Sequence, residues 1–298
     1  MRRVLIALAL TVVALGTIVW FTEPPRLLSW ADRIAGGGRG VSLVADDVAF
    51  GTAGQTLNVW APSAKQSEPR PVLVFYHGGG WVHGDRRAYD FAARAFAARG
   101  FVVVVPDYRK VPGVRFPAFV QDGAQAVKWV RDTIARFGGD PRRIALAGHS
   151  AGAHTVAMLA LDPRWLQAEG VDPGIVRAGI PMCGPYDFYP FRKKRAIDAM
   201  AGVRDPQFTQ PLHFARADAP PLLLLSAGKD VQVGAHNAVN LAAKLKALGA
   251  PVRHRDYPQL THEEVAMSLS RPYRGKAPVL EESVAFLNDA LRSGGQAR

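Results

Sequence analysis

The sequence predicts an α/β fold, a mostly parallel central sheet with helices on both faces and a small cap. Three observations predict it. Short apolar runs such as Val72 to Tyr76 and Leu222 to Ser226 alternate with stretches of helical period, the pattern of parallel strands buried between helical layers. The apolar run Ile144 to Ala147 leads into Gly148-His149-Ser150-Ala151-Gly152, and small residues suited to a helix follow. Between Gly184 and Pro220 the alternation breaks down, as expected of an insertion or cap beside a site. At 298 residues the chain is long enough for one large domain, and 48% hydrophobic with 21% charged residues excludes disordered and fibrous classes.

Taken in order, the chain divides into three parts. Residues 1–25 read as a membrane anchor or signal segment. Met1-Arg2-Arg3 precedes Val4 to Thr22, which carries no charge, and a helix of that length spans about 28 Å, close to a bilayer's hydrocarbon core. Val19-Trp20-Phe21-Thr22-Glu23-Pro24-Pro25 is a poor cleavage site, so an uncleaved anchor is expected, with secretion after signal cleavage as the alternative. Arg2 and Arg3 then place the catalytic domain outside the cytoplasm, in the periplasm if the source is bacterial. Residues 26–44 read as a linker and possible flap, a short helix near Leu27 to Ile34 between Pro24-Pro25 and the glycine cluster at residues 36–40.

Residues 45–298 form the predicted catalytic domain. Strands are expected at Thr56–Trp60, Val72–Tyr76, Phe101–Val105, Ile144–Ala147, Ala178–Met182, Leu222–Ser226 and Val252–Tyr257. Helices are expected at Tyr89–Arg99, Ala118–Phe137, Ala151–Leu161, Ala235–Leu248 and Ser283–Leu291.

The charge and cysteine content exclude several classes. The formal charge is +12, but the basic residues are scattered. The one dense run, Arg192-Lys193-Lys194-Arg195, has no interleaved aromatic platform, so it reads as a solvated face, with anionic lipid as the alternative and no nucleic-acid partner. A single cysteine, Cys183, excludes a disulfide framework and a cysteine-rich zinc site. No His-x-x-x-His helix is present, so neither a metal nor another cofactor is expected. The sequence carries no signal for oligomeric state.

The candidate chemistry centres on Ser150. A serine on a sharp strand-to-helix turn leaves room for only a hydrogen at the flanking positions Gly148 and Gly152, as in the Gly-x-Ser-x-Gly nucleophile elbow. Such a serine needs a base, and the base an orienting acid, gathered at the carboxyl ends of the strands. Asp230 follows the strand Leu222 to Ser226, and Asp187 is the rival acid. Of the three histidines after Asp230, His236 falls on a helix and His254 inside a strand. His262 follows the last strand, where Thr261 and Glu264 form a capping-box pattern. The positive helix end keeps such an imidazole neutral, hence basic. The strand Val72 to Tyr76 opens into His77-Gly78-Gly79-Gly80-Trp81, whose glycine amides, with that of Ala151, are candidate oxyanion donors. Trp81 and His149 are pocket candidates, and His77 a loop anchor.

With these motifs the sequence resembles the α/β-hydrolases of the hormone-sensitive-lipase and carboxylesterase type. His77 to Trp81, Gly84-Asp85, Pro106-Asp107-Tyr108-Arg109, Gly138-Gly139-Asp140-Pro141, Gly148 to Gly152, Asp230 and His262 match in order, over roughly residues 45 to 292. The resemblance implies Ser150 as nucleophile, His262 as general base, Asp230 as its partner, and the amides of Gly79, Gly80 and Ala151 as oxyanion donors. Asp107, Tyr108 and Arg109 look like loop braces. His149 stands where many relatives carry aspartate, and the region before the first strand is too short for a full helical cap. Both features are similar to the compact esterases, the BD-FAE-like and formamidase-like branch. The expected activity is hydrolysis of small or short-acyl carboxylic esters through an acyl-enzyme. The alternatives are an amide hydrolase of the formamidase type and a non-catalytic binding module on the same fold.

Overall fold

The computed structural model describes residues 24–293. Its frame is one eight-stranded sheet in the order β1-β2-β4-β3-β5-β6-β7-β8. The strands are β1 (Val41–Phe50), β2 (Gln55–Pro62), β3 (Arg70–Tyr76), β4 (Val102–Pro106), β5 (Gly139–His149), β6 (Val176–Met182), β7 (Leu222–Ala227) and β8 (Val252–Tyr257). β1, β2 and β4 pair antiparallel, and every other neighbouring pair is parallel. Strand order reverses direction at β3, so the ends of β3 and β5 form a switch point, where open α/β sheets place their ligands.

The period-two alternation splits each central strand between two cores. Leu73 and Phe75 of β3, Val103 and Val105 of β4 and Ala145 and Ala147 of β5 face one cluster. That cluster contains α2 (Asp90–Ala97), α8 (His262–Met267) and α9 (Val279–Ser293). Val72, Val74, Val102, Val104, Ile144 and Leu146 face the other, against α3 (Ala118–Thr133) and α4 (Ala151–Leu161). All twelve of these strand residues have 0% exposure, which is why their strands read as unbroken apolar runs.

The structure departs from the expectations mainly at the amino-terminal side. β1 starts at Val41, ahead of the expected boundary at residue 45, and it was hidden because its outer positions are exposed and include Asp46 and Asp47. The expected linker and flap is largely a packed element. Its helix α1 (Pro24–Asp32) puts Leu28 into the first core. The Arg94 guanidinium donates to the Asp32 carboxylate at 2.8 and 3.0 Å, both side chains being buried, while the Arg271 amide donates to the other Asp32 oxygen at 2.8 Å. The segment from Gly184 to Pro220 is irregular as expected, holding only the short helix α6 (Lys194–Ala199) and 3-10 turns. Between α4 and β6 lies α5 (Arg164–Ala168), and α7 (His236–Ala247) follows β7.

The expected membrane anchoring, and the extracytoplasmic placement drawn from it, are overturned. Among the described residues no helix is long and apolar enough to cross a membrane. Residues 4–22, on which that expectation rested, lie outside the described residues.

The Asp32–Arg94 pair predicts a large stability effect. Asp32→Ala leaves the buried guanidinium without its counter-charge, and unfolding in urea should show a loss of about 3–5 kcal/mol.

Candidate active site

The site is built where β5 ends. Ser150 adopts φ +55° and ψ −118°, a conformation that side chains rarely take, between the last residue of β5 and the first of α4. The turn is held because the Ser150 amide donates to Met182 O at 2.9 Å and Ser150 O accepts from the His154 amide at 3.1 Å. A Cβ on Gly152 would lie 2.1 Å from Tyr76 O and 2.6 Å from His77 O, so only glycine lets α4 start against the end of β3.

His262, first residue of α8, approaches Ser150 from the end of β8. Its Nε2 lies 2.9 Å from Ser150 Oγ, and its Nδ1 lies 2.7 Å from Asp230 Oδ2. The capping box at Thr261 is present, with the Thr261 amide donating to Glu264 Oε2 at 2.9 Å. Asp230 comes from the loop after β7, and its other oxygen accepts from the Gln232 and Val233 amides at 2.8 and 2.9 Å. Burial pushes the Asp230 carboxyl up, but the hydrogen bond and charge of His262 with those two amides outweigh it and lower its pKa to about 2. The two loops are joined, since the Lys229 amide donates to Leu260 O at 3.0 Å. Asp187 is not part of this chain and accepts from Asn240 Nδ2 at 2.7 Å.

Ser150 opens into a cavity of about 450 Å³ that Gly80, Trp81, Ala151, Phe188 and Asp230 also line. Gly80 and Ala151, two of the three residues expected to supply oxyanion donors, thus border the cavity with the serine. Gly79 does not line the cavity. It has φ +129°, its carbonyl accepts from the Val82 and His83 amides at 3.1 and 3.0 Å, and a Cβ there would lie 2.1 Å from His83 O. Trp81 stacks between Phe119 and Phe188, forming the apolar wall.

His149, expected in the pocket, is elsewhere. It is buried beneath His262, and since a carbonyl only accepts, its Nε2 donates to His262 O at 2.9 Å. Its Nδ1 then accepts from the Tyr89 hydroxyl at 3.0 Å. Burial, reinforced by the charge of His262, lowers its pKa to about 3, so it is a neutral brace that holds the backbone of His262. The physical reason is that both ring nitrogens are taken up by the Tyr89 hydroxyl and His262 O, which hold the ring away from the cavity. Four further contributions were not foreseen, namely the Tyr89 hydroxyl, the Gln232 and Val233 amides, and His154. The Tyr89 hydroxyl needs a long-range contact to be seen, whereas the two amides are local to Asp230, and Asp followed two and three residues later by free amides is an Asx-turn signal. His154 is fully buried among Trp81, Phe116, Phe119 and Phe188, donates to Thr209 O at 2.8 Å, and burial lowers its pKa to about 4.

The bracing residues lie as the motif implied. His77 stacks on Tyr108 with ring centroids 4.2 Å apart, and Tyr108 donates to His77 O at 3.0 Å. Burial raises the Asp107 carboxyl, yet His77 and Arg86 hold it well below the usual carboxylate range. Arg109 clamps the buried Asp122 through contacts of 2.7 to 3.0 Å.

One metal-capable set exists among the described residues: Cys183, Asp230 and His262, with ligand atoms within 4.8 Å of one another. The donor chemistry does not fit a metal. Asp230 and His262 are spent on each other, and burial, followed by the charge of Asp230, pushes the Cys183 thiol well up, keeping it protonated.

Comparison with known proteins decides the family. A model of the BD-FAE family matches residues 57–245, well over half of the chain. The chain belongs to the BD-FAE family. This BD-FAE chain is 31% identical over 275 residues to Esterase LipC of Mycobacterium tuberculosis, covering 85% of the chain and 66% of that protein. It is 37% identical over 164 residues to Carboxylesterase NlhH of the same species, covering 55% of the chain and 44% of that protein. It therefore spans two thirds or less of the length of these relatives. Its fold matches Thermogutta terrifontis esterase 2 with propionate bound, at a TM-score of 0.69 and 24% identity, over 84% of this chain and 94% of that one. The same esterase phosphorylated by paraoxon matches with a TM-score of 0.71 at 22% identity, over 84% and 94%. These likenesses establish the α/β-hydrolase fold for the BD-FAE chain.

The two buried histidines set the pH response of stability. A histidine held neutral in the fold takes up a proton on unfolding at any pH between its folded and ordinary values. Their contribution is therefore whole above 6.5 and is lost as pH falls toward about 4 for His154 and about 3 for His149. Urea midpoints should fall over that window, and His149→Gln, which keeps a donor but cannot titrate, should flatten the fall. Asp230 adds a loss of the same sign only below 3.8, toward about 2.

Proposed function

We propose that this BD-FAE protein is a serine hydrolase of small or short-acyl carboxylic esters. The single observation that carries the reading is the continuous hydrogen-bond chain from Asp230 through His262 to Ser150, with steps of 2.7 and 2.9 Å. The esterase names of LipC and NlhH support the ester class.

In the proposed reaction Ser150 Oγ attacks the ester carbonyl carbon. As the O–C bond forms, the carbonyl electron pair moves onto oxygen and the hydroxyl proton passes to His262 Nε2. Asp230 stabilises the imidazolium through Nδ1–H and holds the tautomer that leaves Nε2 free to accept. The amides of Gly80 and Ala151, with Gly79 shaping the loop, meet the developing oxyanion, each donor typically contributing about 2.7–4 kcal/mol. Collapse breaks the bond to the alcohol, which leaves with the proton from His262. Water then attacks the acyl-enzyme by the same steps in reverse, releasing the acid and restoring Ser150.

The test is turnover of 4-nitrophenyl butyrate and of the matching anilide, with Ser150→Ala as control. The ester should be hydrolysed, and the variant should lose about 10⁶-fold in kcat. Faster turnover of the anilide would favour an amide hydrolase, and activity that survives in Ser150→Ala would sink the nucleophile assignment. A fluorophosphonate that fails to label Ser150 would favour a binding module.

A further inference from the structure

The basic run in the cap is exposed at Arg192, Lys193 and Lys194, as expected of a solvated face, but it also borders the site. Arg192, Lys193 and Arg195 all line the cavity that holds Ser150, and only Lys194 turns away, to pair with Asp198 at 2.7 Å. Arg195 lies closest to the chemistry. A Cβ placed on Gly80 would stand 2.5 Å from Arg195 Cδ, so its stem rests on the loop expected to bind the oxyanion. Its guanidinium is half-buried and donates to Gln232 Oε1 at 2.7 Å, across the cavity mouth to the loop that carries Asp230.

The partners of these cations matter. Gln232 is neutral, and among the described residues none of Arg192, Lys193 and Arg195 is ion-paired. The two carboxylates on the same cavity are each engaged within the protein: Asp230 by His262 and two backbone amides, Asp187 by the Asn240 side chain. Three cations without counter-ions, Arg195 half-buried and Arg192 and Lys193 exposed at the rim, set a positive field over the cavity that holds Ser150, least screened at Arg195. Guanidinium also presents paired donors suited to a carboxylate.

We infer that the preferred substrate is an ester carrying an anionic group of carboxylate type, held by Arg195 with Arg192 and Lys193 while Ser150 attacks the ester carbonyl. This inference rests on the ester hydrolase reading above and names its substrate class. The anion can reside on the acyl part or on the alcohol part, and the two are separable in the test.

The experiment compares kcat/KM for 4-nitrophenyl hemiglutarate, with the charge on the acyl side, and for 4-nitrophenyl valerate, a neutral ester of similar length. A second pair, 4-acetoxybenzoate and phenyl acetate, moves the charge to the alcohol side. In the wild type at least one anionic ester should exceed its neutral match, chiefly through a lower KM, and added salt should erode that preference. In Arg195→Gln the anionic-to-neutral ratio for that pair should fall about tenfold, the worth of one charge-assisted hydrogen bond. Arg195→Lys should recover part of it. Binding of free glutarate and benzoate, followed by calorimetry, supplies a readout that needs no turnover. If no ester is hydrolysed but either acid binds in an Arg195-dependent way, the ester reading fails and the anion site stands. Hydrolysis in which neither anionic ester is preferred, or a ratio unchanged in Arg195→Gln, overturns the anion site, as does the absence of acid binding by a protein that hydrolyses no ester.

Discussion

Everything at this site depends on how closely two strand ends can approach. β3 and β5 are parallel neighbours, so the glycine loop and the serine turn emerge side by side. The gap between the start of α4 and the carbonyls of Tyr76 and His77 is too narrow for a single methyl group at position 152. That contact sets the helix against the loop, and with it the placement of the Ala151 and Gly80 backbones around Ser150. The positive φ of the serine is the local cost, of about 1–3 kcal/mol for such a residue. It is offset by the two fully packed cores on either face of the sheet.

Around this contact the polar groups are arranged so that only one proton has somewhere to go. Asp230 is held ionised by two amides and by His262, and His149 is held neutral by burial with both its nitrogens engaged. His154, fully buried, is likewise kept neutral behind the aromatic wall. Each neighbour of His262 is thus locked in one protonation state near neutral pH. The remaining acceptor, Nε2, faces the serine hydroxyl. Preorganisation of this kind costs nothing at the moment of reaction, because no dipole has to turn.

The same cavity joins two kinds of surface. One wall is apolar, with Trp81 stacked against Phe119 and Phe188. The other is cationic and comes from the cap, bridged to the acid loop by Arg195 and Gln232. The inferred preference for anionic esters rests on this pairing of an apolar wall with a charge at the cavity mouth. α1 adds nothing to the cap, being committed to the core through Leu28 and the Asp32–Arg94 pair.

Much of this was legible in the residues alone, and for definite reasons. Strands buried on both faces must be continuously apolar, so β3 to β7 stood out, whereas β1, exposed on its outer face and carrying two aspartates, did not. The positions of Ser150, Asp230 and His262 followed from local signals, since each stands at a strand end with its own turn or capping pattern. Side-chain direction was another matter. His149 and Trp81 flank glycine-rich turns alike, yet one lies beneath His262 and the other lines the cavity, because direction is decided by backbone angles at the turn. The basic run at residues 192–195 is solvent-facing charge at three of its members, and only the placing of the cap beside the Gly80 loop brings Arg192, Lys193 and Arg195 to the cavity as well. Local sequence determined the elements and the turn chemistry, because propensity and close approach act over a few residues. Which side chains share a cavity was decided by the tertiary structure, because that depends on contacts between residues more than a hundred positions apart, as between Ser150 and His262.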